Sequence, residues 1–76
     1  MNKRRRSSIK IAANYLDMAI DLIRDAKDEE QDALDNMPEN LQSSERCEAM
    51  EEAIDHLEDA ISSIDEAKDH IDRAIA

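Results

Sequence analysis

Between Ala53 and Ala76 the chain reads AIDHLED, AISSIDE, AKDHIDR, AIA, a seven-residue pattern with three apolar columns. Ala fills one column at Ala53, Ala60, Ala67 and Ala74. A larger residue follows four positions later at Leu57, Ile64 and Ile71, and the position after each Ala holds Ile54, Ile61, Lys68 and Ile75. Three filled columns of a heptad describe a helix with one face against a core. The first half repeats the phase, with Ala12, Ala19, Ala26 and Ala33 in the small column and Ile9, Leu16, Ile23, Glu30 and Met37 in the large one. The pattern predicts two helices, over about 8–36 and 44–75, joined by a loop at 37–43. So short a loop makes them antiparallel neighbours. Pro38 stops the first helix by pushing Met37 out of the helical region. Ser7 or Ser8 is the expected cap of helix 1 and Ser43 or Ser44 that of helix 2, where Glu45 and Glu48 suit the helix dipole. Residues 1–7 read as a flexible basic arm. The expected fold is all-α: an antiparallel two-helix hairpin with an Ala-rich heptad seam, assembling into a homo-oligomeric bundle. Ala in the seam brings the backbones to the short end of the usual ~8–10 Å separation. Ile54, Ile61 and Ile75 then point past it toward another hairpin.

A second apolar stripe on helix 1 strengthens that expectation. Ile11, Tyr15, Met18 and Leu22 are spaced four, three and four apart, beside the first stripe. The two stripes together cover more than one partner helix can hide. Either further copies of the chain cover the second, or it is a groove for a foreign peptide or helix. Glu30 stands where Ile or Leu is expected, so it marks either a splayed, solvated part of the bundle or a buried, paired acid.

Composition narrows the class. The 76 residues include no Gly, Trp or Phe, one Tyr and one Pro, which argues against sheets and Gly-rich phosphate loops. A chain this short usually needs oligomerisation, metal or disulfides for useful stability. The single Cys47 forms no intrachain disulfide and suits a reducing compartment. Net charge is −10, split as +5 over residues 1–10 and −15 over the rest. An acidic body opposes nucleic acid and suits a basic partner. Asp17 and Asp21 interrupt any signal-peptide pattern, and no run approaches the ~20 apolar residues of a membrane span. A cytoplasmic protein without a membrane partner is expected.

Candidate chemistry is sparse. His56 and His70 follow Glu52 and Glu66 by four residues, which is ordinary helix-surface pairing rather than the Glu-x-x-His of di-metal bundles, so no metal or other cofactor is expected. No Ser–His–Asp set is placed by a recognisable turn, and an enzyme is not expected. Cys47 lies one turn into helix 2, where the dipole can lower a thiol pKa; a small, semi-buried residue is the plainer reading. The polar site with a mechanism is the arm. Lys3, Arg4, Arg5, Arg6, Ser7 and Ser8 lead into a helix N-terminus, where amides, hydroxyls and cations can cradle a phosphate and Tyr15 can stack on a base. The alternative is a solvated arm. Asp21, Asp25, Asp28, Glu51, Asp55 and Asp59 are candidate contacts for a basic partner, unless they only solvate the bundle.

The stretch Asp28 to Arg46, DEEQDALDNMPENLQSSER, followed by AMEEAID from Ala49 to Asp55, resembles small acidic hairpin proteins encoded by phages and mobile elements of gut Firmicutes. That resemblance implies an origin rather than an activity. Small phage proteins without catalytic residues often inhibit host systems stoichiometrically, including host defence. The architecture also resembles the plasmid copy-number regulator that binds paired RNA hairpins as a four-helix dimer, but the acidic helices here lack the basic stripe such a face needs. The expected function is therefore a non-enzymatic binding protein, an inhibitor of a host factor acting in the host cytoplasm. A sponge for a phosphorylated small ligand such as a cyclic nucleotide and a purely structural oligomerisation module are the alternatives.

Overall fold

The computed structural model describes all 76 residues as two long helices and one short turn of helix. Helix α1 spans Lys3–Asp35, a 3-10 turn spans Glu39–Leu41 and helix α2 spans Glu45–Ile75. The first helix begins five residues earlier than Ser8, so residues 3–7 of the expected flexible arm form about its first turn and a half. Asn2 supplies the cap: its Oδ1 accepts from the Arg5 amide at 2.9 Å. Ser8 instead donates from Oγ to the Arg4 carbonyl at 3.2 Å, as a hydroxyl inside a helix does. The helix carries through 3–7 because Lys and Arg have good helix propensity and the Asn cap is as strong as Ser.

The connection is built without glycine and without any residue at positive φ. Asn36 closes α1 by donating its backbone N–H at 3.0 Å and its side-chain amide at 2.8 Å to the Asp32 carbonyl. Pro38, at φ −56° and ψ 144°, turns the chain out. Ser44 then caps α2 with one hydroxyl, which accepts from the Cys47 amide at 3.2 Å and donates to the Leu41 carbonyl at 2.6 Å.

The observed seam corrects the expected one. It is lined by Leu16, Ile20, Ile23, Ile54, Leu57, Ile61 and Ile64, with Ile20, Cys47, Ile54 and Ile61 as the fully buried residues. The Ala columns flank it: Ala12, Ala26, Ala33, Ala67 and Ala74 are exposed. Larger side chains in the seam bury more apolar area at ~25 cal/mol per Å², which outweighs the closer backbone approach that Ala permits. Ile54 and Ile61 are thus core of the single hairpin and cannot also face a second one; Ile75 is half-buried at the end of α2. Lys27 and Lys68 occupy seam positions too, and each reaches across to the other helix. Lys27 Nζ lies 3.8 Å from Glu58 Oε1, and Lys68 donates to Asp17 Oδ1. Glu30 is half-exposed and takes no ion pair, consistent with the splayed, solvated reading.

The hairpin measures 60 × 15 × 13 Å, and its radius of gyration is 17.4 Å against about 11 Å for a compact domain of this length. Four buried residues out of 76 is a thin core for a chain that must offset its own conformational entropy.

Candidate functional site

With about 100° per residue, helical geometry sorts each outward face. The Asp17–Lys68 and Lys27–Glu58 pairs mark the antiparallel register. In that register Ala12 is level with Ala74, Ala19 with Ala67, Ala26 with Ala60 and Ala33 with Ala53. Each Ala column lies about 80° from the seam, and on both helices the offset is toward the same broad side of the hairpin. The opposite broad side is acidic. Asp21 and Asp28 of α1 and Glu51, Asp55 and Asp59 of α2 are turned toward it or outward from it, and Asp25 lies on the outer edge of α1. Both cross-helix ion pairs lie on this side as well.

Carboxylates dominate that acidic side. Of the chain's 20 carboxylate side chains, only Asp17, Glu52, Glu58 and Asp69 lie in ion pairs. The six sequence-predicted contact acids are all exposed and take none. Glu51 does make one contact, accepting from Cys47 Sγ at 3.8 Å. Burial pushes the Cys47 thiol pKa up, and the charge and hydrogen-bond acceptance of Glu51, with the charge of Glu48, push it further. This direction is opposite to the one a helix N-terminus alone would give. The thiol is thus a buried packing group beside a small open hollow lined by Leu34, Asp35, Gln42, Cys47 and Glu51.

The basic end is less convergent than its sequence suggests. Lys3, Arg4, Arg5 and Arg6 are successive residues of one helix, so they fan around its whole circumference. Met1, Asn2, Arg4, Arg5, Ser8 and Ile9 line a shallow open groove, while Lys3, Arg6, Ser7 and Tyr15 lie outside it. Two first-turn amides are already taken: Arg5 by the Asn2 side chain and Arg6 by the Asn2 carbonyl at 3.1 Å. None of Lys3, Arg4, Arg5, Arg6 and Lys10 has an ion-pair partner.

The third surface is apolar. Ile11 is 56% exposed, Tyr15 66%, Met18 59% and Leu22 71%, in one row on the outer face of α1 about 140° from the seam. The sequence-predicted second stripe is thus left uncovered by the hairpin itself. No group of three or more His, Cys, Asp or Glu side chains converges in a geometry fit for a metal ion, and His56 sits 3.8 Å from Glu52 on the surface. No helix is long and apolar enough to cross a membrane. Compared with protein-family models, with curated proteins and with solved structures, the chain matches none.

Proposed function

We propose that this chain is a non-enzymatic binding protein that self-associates through its apolar surfaces and presents its acidic side to a basic protein partner. In that role it occupies the partner stoichiometrically, as an inhibitor of a host factor does. The observation that carries this reading is the segregation of charge: carboxylates without counter-ions gather on one broad side of the hairpin, and small apolar residues on the other. A rigid two-helix frame holds those acids at fixed spacing, which favours complementarity with a basic surface over simple solvation.

The test is capture of basic proteins from a host lysate by the immobilised chain, at rising salt. Binding that weakens steeply as salt rises, and is lost on changing Asp55 and Asp59 to Lys, supports the reading. Equal capture by the wild type and the charge-reversed variant would overturn it. A melting shift caused by a phosphorylated nucleotide, lost on changing Arg4, Arg5 and Arg6 to Ala, would instead assign the function to the basic end.

A further inference from the structure

The outer face of α1 has the form of a self-complementary contact, and we propose that a second copy of this chain packs on it antiparallel, α1 against α1. This deepens the self-association in the functional reading above by naming its face, direction and register. Three observations point to a second copy rather than a foreign helix.

The first is spacing. Ile11, Tyr15, Met18 and Leu22 are separated by four, three and four residues, a series that reads the same in either direction. A two-fold axis between the levels of Leu16 and Asp17 brings Ile11 opposite the partner's Leu22 and Tyr15 opposite the partner's Met18. Residue for residue, the face fits its own inverse, as an isologous contact requires. Ala12 and Ala19 border the row and let two such helices approach closely.

The second is charge. Helix α1 runs against its own dipole, with no acid in its first turn and no base in its last. Its five N-terminal cations take no ion pair within the hairpin, and its stretch from Asp21 to Asp35 holds seven acids against two bases. An antiparallel second copy brings each basic end beside the other's acidic half. In the register given by the apolar row, Arg4 is level with the partner's Glu29, and both lie on the line of that row. Helix α2, which this contact leaves alone, has the ordinary polarity, with Glu45 and Glu48 in its first turn and Arg73 in its last.

The third is need. Four buried residues leave the isolated hairpin with little core, and a second copy is the one partner always present at equal concentration.

Light scattering of the full chain over a range of concentrations is expected to give twice the chain mass, reduced to one on changing Tyr15 and Leu22 to Glu. Direction is tested in a Cys47→Ala background. Chains carrying Ile11→Cys mixed with chains carrying Leu22→Cys should form a disulfide between them. Leu22→Cys alone should not, because the two copies of that position lie about 16 Å apart along the axis. Arg4→Glu should weaken the dimer, and adding Glu29→Arg should restore it; these positions are about 37 Å apart within one helix, so restoration reports contact between chains. A dimer that cross-links through Leu22→Cys alone overturns the antiparallel register and leaves the acidic-side reading to its own test. A single-chain mass at every concentration overturns the contact altogether.

Discussion

Lys68 sits in the seam column of Ile54, Ile61 and Ile75, and its ammonium leaves the seam sideways to Asp17. Donating a hydrogen bond to Asp17 raises its pKa above the ordinary 10.5, desolvation opposes this, and the charges of Asp17, Asp65 and Asp72 assist. A raised folded-state value means that this pair's stabilisation is complete below the unfolded value and is lost as pH rises through the folded one. The thermal midpoint of the wild type should therefore fall relative to Lys68→Met as pH passes 10.5 and goes higher. Parallel curves across that window would dismiss the pair as a contributor. Cys47 makes the opposite kind of prediction. With burial and two nearby carboxylates disfavouring its thiolate, it should react slowly with an aromatic disulfide reagent at neutral pH and quickly once denatured. A native rate equal to the denatured one would contradict its burial.

At the scale of the element, each helix is specified by its ends and its seam. Ser44→Ala removes the hydroxyl that serves both the Cys47 amide and the Leu41 carbonyl, and should cost about 1 kcal/mol by denaturant titration. Asn2→Ala should cost less, because the first turn it caps is exposed and can fray. Ile54→Ala and Ile61→Ala open the seam at two of its four buried residues, each costing about 2–5 kcal/mol. For a hairpin with so thin a core, that loss should abolish cooperative melting by circular dichroism. Retention of a sharp transition in both variants would mean that the seam is not the chief source of stability. Lys27 and Lys68 each bridge the two helices, so a Lys68→Asp change should lower the midpoint and Asp17→Lys added to it should recover most of the loss.

For the whole molecule, the consequence is a rod with three unlike long surfaces. The acidic side repels its own kind and stays in water, the Ala side is smooth, and the outer face of α1 carries a row of large apolar groups that a lone hairpin leaves wet. Patches of that kind mark interaction sites. Partner binding at the acidic side that weakens steeply with salt, and that survives changing Tyr15 and Leu22 to Glu, is the signature expected when the two surfaces act separately. Loss of partner binding on those two changes would merge them into one site.

Residue order alone was enough for the existence of two helices, their antiparallel arrangement, the stop at Pro38, a serine cap at Ser43 or Ser44 and the second stripe of Ile11, Tyr15, Met18 and Leu22. All of these follow from periodicity and local backbone chemistry, which act over a few residues. The tertiary structure decided which pair of heptad columns meets in the seam. Three filled columns offer more than one pairing, and only packing shows that Ile and Leu, not Ala, fill the space between helices. It also decided that residues 3–7 continue the helix, because a cap competes with its neighbours and Asn2 wins. The sidedness of charge needed both: the acids are plain in the sequence, but their gathering opposite the Ala columns depends on the antiparallel packing of the two Ile- and Leu-lined faces.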